Sequence, residues 1–279
     1  MIYIMPIEKK ELLELVAQPQ FKKNNGQILA GGSDLMVKIE HFGFKTGMIV
    51  DAKGIKSLRG IVKKDNVIKI GSLTTVSDLL ESKLLAKNAP NLNQAAKNFA
   101  AVQIRNRSTI GGNICNASPA ADLVPPLYAL GAKLKLESVK GIRRVNIDKF
   151  FKGPGKTVLK PDEILSEISF NALPSSTFSR FYKLGQRESM AIAIVSLSVI
   201  FNSNENKFKD LRIALGAVAP TVIRAYKTEK FLEGSIRSSE LVEKAAIIAV
   251  NECSPITDVR GSADYRRLMV DRLLAELLN

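Results

Sequence analysis

Residues 109–126 read TIGGNICNASPAADLVPP, and the reading of this stretch decides the fold. Gly111 and Gly112 follow an apolar run. Glycine has no Cβ, so the chain can turn tightly there and bring bare amides against a bound group. Thr109 and Asn113 flank the pair with polar side chains, and Ser118–Pro119 reads as an N-cap with proline at the first helical position. An amide-lined turn beside a helix start suits a phosphate. A plain hairpin turn between buried strands carries the same letters.

Residues 28–35, ILAGGSDL, repeat the logic: an apolar strand end, the pair Gly31 and Gly32, then Ser33 and Asp34. Two such turns suit the two phosphates of a pyrophosphate. Neither has the strand–GxGxxG–helix or GxxxxGK[ST] spacing of the commoner nucleotide folds.

The chain has 279 residues, 46% hydrophobic and 24% charged, ordinary for a soluble protein of two or three compact units. Its longest apolar run, residues 190–201, is broken by serines and falls short of the ~18–20 residues that span a bilayer. The N-terminus lacks the basic start and long apolar core of a signal peptide, which makes cytoplasmic residence the expectation. Cys115 and Cys253 stand far apart without metal-ligand spacing, which disfavours a disulfide scaffold or a metal site; Cys115 reads as a small buried residue. His41, the one histidine, reads as a surface or loop residue and disfavours a multi-histidine metal site. Net charge is +14 with a pI near 9.7, which favours acidic partners. The basic residues are scattered pairs without interleaved aromatics, so a solvated lysine-rich surface, with room for an acidic partner subunit, is the better reading than nucleic acid.

In chain order, a strand at 2–5, a helix at 7–17, a polar loop at 18–26, strands at 27–29 and 47–51 and a helical turn at 35–39 make a first unit, residues 1–55. A hairpin at 60–71, helices at 76–86, 90–102 and 120–130 and a strand pair at 132–139 and 141–146 make a second, residues 56–173. LPSST at 173–177 marks a boundary. Three strands (178–185, 190–201, 208–219) and three helices (226–232, 239–251, 261–278) then make an α+β unit, residues 178–279.

Four stretches now stand in order: AGGSDL at 30–35, QIRNRSTIGGN at 103–113, ASPAAD at 117–122 and FYKLGQRESMAIAIVSLSV at 181–199. Over essentially the whole chain they resemble the FAD-binding subunit of the molybdenum hydroxylases, the xanthine dehydrogenase and carbon monoxide dehydrogenase family. The resemblance implies α/β plus α+β architecture: a two-subdomain FAD-binding domain of the vanillyl-alcohol-oxidase type, then a C-terminal domain with an antiparallel sheet and helices. It implies FAD as cofactor, bound by Ile28, Leu29, Ala30, Gly31, Gly32, Ser33, Asp34 and Leu35 and by Thr109, Ile110, Gly111, Gly112 and Asn113. It places Phe99 near the flavin or its ribityl chain, and Asp122 where it accepts a hydrogen bond from the cofactor. Ile164 and Leu165 match residues that pack on or bond to the ring system, and Lys183 a basic residue near the flavin's polar edge. Burial tendency alone reads Phe99, Ile164 and Leu165 as core, Asp122 as a first-turn helix residue and Lys183 as an edge charge. No catalytic residue and no metal ligand is assigned, and Arg107, an extra cation beside the second turn, has no role in the pattern. The resemblance further implies a molybdopterin-binding large subunit and a [2Fe–2S] small subunit as partners. Electrons would pass from the clusters through the flavin to NAD, oxygen or another acceptor. Two other readings stay open: a stand-alone FAD-dependent reductase of related fold, and a basic, non-enzymatic binding module.

Overall fold

The structure, a computed structural model, describes every residue except Glu188, which falls within the fourth motif, and Glu205. Strands Ile2–Ile4, Met48–Asp51 and Gln27–Leu29 form a parallel sheet with Met48–Asp51 in the middle. All four residues of that central strand are buried, as both faces of a parallel sheet require. Parallel neighbours need crossovers, which helices Lys9–Ala17 and Leu35–His41 help to build. Residues 18–26, read as a loop, contain the helix Pro19–Lys23; proline opens it and Phe21 is buried against this sheet's core.

The middle sheet is antiparallel, and its central strand, Ile164–Asn171, is its last in sequence. The hairpin Ile61–Lys64 and Val67–Gly71 flanks it on one side, Lys133–Ser138 and Gly141–Asn146 on the other. Alternation with period two puts Ile68, Ile70, Leu134, Leu136, Ile168 and Phe170 into one core. Lys9 of the first helix reaches Glu137 at 2.9 Å and so joins the two sheets. Burial would raise the Glu137 carboxyl, but hydrogen bonds from Lys135, Lys9 and Ser166 together bring it down to about 2.

Three helices differ from expectation. Residues 76–86 split into Val76–Glu81 and Lys83–Asn88, because the Ser82 hydroxyl accepts the Leu85 amide and caps a new helix. The helix from Pro90 stops at Lys97; Ala100 takes φ +36, and a short helix follows at Val102–Arg105. The helix expected over 120–130 begins at Val124, with Pro125 and Pro126 in the first turn, where no amide donor is needed. Ser118 is not its cap; its hydroxyl accepts only the Ala120 amide.

Strands Phe178–Leu184, Val195–Asn204, Lys207–Gly216 and Ile223–Arg224 form an antiparallel C-terminal sheet in chain order. The second of these starts five residues later than the expected 190. Helices Tyr226–Leu232, Ser239–Glu252 and Ala263–Leu278 follow, and their buried residues pack with Leu197, Val199 and Phe201 of the sheet. The sheet's other face sends Phe181, Ile200 and Ala214 into the middle core. Buried Asn91 fastens that seam, donating to Ser179 Oγ at 3.2 Å and to Ser198 Oγ at 2.9 Å. Among the described residues no helix is long and apolar enough to cross a membrane.

Candidate functional site

Strand Gln27–Leu29 ends in the first glycine pair, which turns the chain into helix Leu35–His41. Gly32 has φ +79, a region that side chains disfavour. A Cβ on Gly31 would lie 2.0 Å from the Arg107 carbonyl oxygen and 2.9 Å from Ser108 Cα. Only glycine lets these two distant segments touch. Ser33 Oγ and Ser108 Oγ share a hydrogen bond of 2.7 Å, and Asn116 Nδ2 donates to Asp34 Oδ1 at 3.3 Å. The paired glycine stretches are therefore neighbours.

Their chemistry differs from the sequence reading. The amides of Gly31, Gly32, Ser33, Asp34 and Leu35 have no acceptor among the described residues, so the first turn presents a row of open donors. The second pair is not a turn ahead of a helix but the first turn of helix Ile110–Cys115. There Ile110 N donates to Thr74 O, Gly111 N to Ser72 O, Gly112 N to Thr109 Oγ1 and Asn113 N to Thr109 O. These amides are spent inside the protein. What the second stretch offers is the bare surface of Gly112 and the Asn113 side chain, whose buried Oδ1 has no partner among the described residues.

A groove of about 490 Å³ runs past Ile28, Ala30, Gly31, Gly32, Ser33, Asp34 and Leu35 on one side and Thr109, Gly112 and Asn113 on the other, with Phe99 in its wall. A second cavity of about 300 Å³ continues from it, since both are lined by Ile28, Ala30, Gly112 and Cys115. This arm is apolar: Leu12, Val16, Phe21, Ile164 and Leu165 line it beside Gly111. Leu29 and Ile110 are buried and line neither arm.

Asp122 and Lys183 lie outside both linings and form an ion pair of 2.7 Å. Lys183 Nζ also donates to the carbonyl of Asn98, the residue before Phe99, at 2.8 Å. Burial pushes the Asp122 carboxyl up to about 6 against the pull of Lys183, and its Oδ1 is buried without a partner among the described residues. Cys115, expected to be buried, is exposed and opens onto the groove. Arg107 braces the first turn, through its carbonyl against Gly31 and its Nε toward the Gly31 oxygen at 3.5 Å. Ile104, Ser108, Lys38 and Asn116 also line the groove; no spacing in the sequence marks them.

These features fit a dinucleotide. Five fixed amide donors suit a diphosphate without needing lysine or arginine, and the apolar arm suits a flat ring. Residues 1–172 match the FAD binding domain in molybdopterin dehydrogenase, and residues 180–279 the CO dehydrogenase flavoprotein C-terminal domain. The chain is 32% identical to the xanthine dehydrogenase FAD-binding subunit of Escherichia coli O157:H7, over 95% of its own length and 90% of that protein. It is 33% identical to the carbon monoxide dehydrogenase medium chain of Hydrogenophaga pseudoflava, over 92% and 89% of the two chains. A solved structure of carbon monoxide dehydrogenase from the same organism superposes with a TM-score of 0.95 at 32% identity, covering 99% of this chain and 95% of that one. This chain thus belongs to the FAD-binding flavoprotein subunits of the molybdenum hydroxylases, oxidoreductases of the xanthine and carbon monoxide dehydrogenase type, with FAD as its cofactor.

Proposed function

We propose that the chain is the electron-transfer subunit of a molybdenum hydroxylase complex. It receives electrons from the [2Fe–2S] clusters of a small partner subunit and passes them to NAD or another acceptor, while a molybdopterin-binding large subunit oxidises the substrate. The observation that carries this reading is the continuous groove with five open amides at its waist, which suits a bound dinucleotide. Bound FAD supplies the capacity to take electrons singly and give them up as a pair. The chain's own residues bind and orient it. The amides of residues 31–35 hold the diphosphate, and Gly112 leaves room for it. Ile164 and Leu165 pack a ring in the apolar arm, and Phe99 stands in the opposite arm toward the flavin. Lys183, fixed by Asp122 and the Asn98 carbonyl, keeps a positive charge beside that end, where it favours added negative charge. In this reading residues 1–55 and 56–173 are the two halves that clasp the cofactor, and residues 178–279 form the third unit.

The test is purification of the native assembly. Flavin absorption released on denaturation as FAD, with two further polypeptides carrying molybdenum and iron, is the expected result. Gly32→Glu should remove the flavin through strain and repulsion. A chain that purifies alone and turns over a substrate without iron or molybdenum would overturn the relay role.

A further inference from the structure

A separate cavity lies away from the groove. About 540 Å³ in volume, it occupies the seam between the middle and C-terminal sheets and shares no lining residue with either arm of the groove. Leu130, Phe170 and Ile200 give it an apolar floor, and Lys133, Arg212, Arg224 and Asp210 give it charged walls. Arg224 is already paired with an opposite charge, whereas Asp210 has only an uncharged donor. Arg224 holds both oxygens of Glu229 through Nε and Nη2, at 2.6 and 2.7 Å. Asp210 Oδ2 accepts from Asn202 Nδ2 at 3.1 Å.

Arg212 is different. Its Nη1 donates to the Ala129 carbonyl at 3.3 Å, which anchors the guanidinium, and its Nε and Nη2 find no acceptor among the described residues. That edge is the one by which Arg143 grips Glu163 and Arg224 grips Glu229 in this same chain. Two parallel N–H groups on one edge match the two oxygens of a carboxylate. Lys133 is exposed and makes no salt bridge among the described residues, so it is a second cation without an ion-pair partner, on a wall shared with Asp210. The strand ladder is bulged here, between Ile200 and Asn202, and Asp210 takes φ +54. Such bulges re-aim side chains beside functional sites.

We propose that this cavity binds a small dicarboxylate. One carboxylate sits on the Nε/Nη2 edge of Arg212, the other faces Lys133, and the carbon chain lies against the apolar floor. The experiment is calorimetric titration of the FAD-loaded protein with malonate, succinate and glutarate, and with inorganic phosphate as a probe of bare charge attraction. One saturable site per chain is expected for at least one dicarboxylate, with phosphate weaker. Arg212→Gln should weaken it about tenfold or more through loss of the paired, charge-assisted bonds. Lys133→Gln, at an exposed residue without a partner, should keep the wild-type melting temperature and weaken binding severalfold. Absence of saturable binding by all three acids, phosphate binding as tight as theirs, or unchanged affinity in Lys133→Gln would each overturn the proposal.

Discussion

Replacing Gly112 with alanine separates cofactor binding from folding. This glycine lies in the first turn of helix Ile110–Cys115 and lines both arms of the groove. Beyond its own helix backbone, a Cβ there meets one atom within 4 Å, Thr109 Oγ1 at 3.0 Å, and otherwise enters open space. The threonine must give by a few tenths of an ångström, and because its Oγ1 caps the helix by accepting the residue-112 amide, this loosens a cap worth about 0.5–2 kcal/mol. Against it stands a gain of about 0.8–1 kcal/mol for alanine over glycine within a helix. The melting temperature should therefore stay within about 4 °C of wild type. The methyl group projects where the two arms join, against the surface on which the diphosphate would rest. Displacing the diphosphate by the depth of a methyl group breaks at least one charge-assisted hydrogen bond to the 31–35 amides, worth about 1.5–3 kcal/mol. FAD affinity should fall roughly 10–150-fold. Gly31→Ala is the contrast: its Cβ would meet the Arg107 carbonyl oxygen at 2.0 Å, and that backbone cannot rotate aside. Overpacking of about 1–3 kcal/mol should lower the melting temperature even without cofactor. The assay is titration of the apo-protein with FAD, followed by quenching of flavin fluorescence, beside thermal melts without FAD. A Gly112→Ala protein that binds FAD as tightly as wild type refutes the placement of the diphosphate.

The remaining predictions use the groove thiol and the buried ion pair. Only the thiolate is alkylated, so labelling of the exposed, groove-lining Cys115 by iodoacetamide should rise with pH between about 7 and 9. FAD should suppress that labelling at the Cys115 peptide while leaving Cys253, which packs in the C-terminal core, unchanged; equal Cys115 labelling with and without FAD would place the cofactor elsewhere. Lys183→Met strands Asp122 in a buried site and should cost about 3–5 kcal/mol of stability, most of it recovered in Asp122→Asn/Lys183→Met. Denaturant melts read both variants, and a single variant as stable as wild type would show the pair to be idle.

Much of the fold was legible because local rules decided it. The run MIVD at 48–51 is a buried parallel strand, and the Asp65–Asn66 turn closes a hairpin with Asp65 at φ +54. Apolar spacing placed the C-terminal helices to within two residues. Where expectation failed, a side chain competed with the backbone. Ser82 broke one helix in two, and Pro125–Pro126 moved the start of another. Cys115 missed its expected burial because its helix opens onto the groove, an orientation set by that helix's packing against Ser72 and Thr74.

For the site, the sequence by itself determined that two glycine pairs exist and that the chain carries the family's four motifs. It could not determine which amides remain open. That was decided when the loop bearing Ser72 and Thr74 came alongside residues 110 and 111 and took their hydrogens, while the Arg107–Ser108 segment packed against residues 31–35 without offering their amides an acceptor. A backbone donor's availability depends on which acceptor lies within about 3 Å of it, and for segments this far apart in the chain only the tertiary packing supplies or withholds that acceptor.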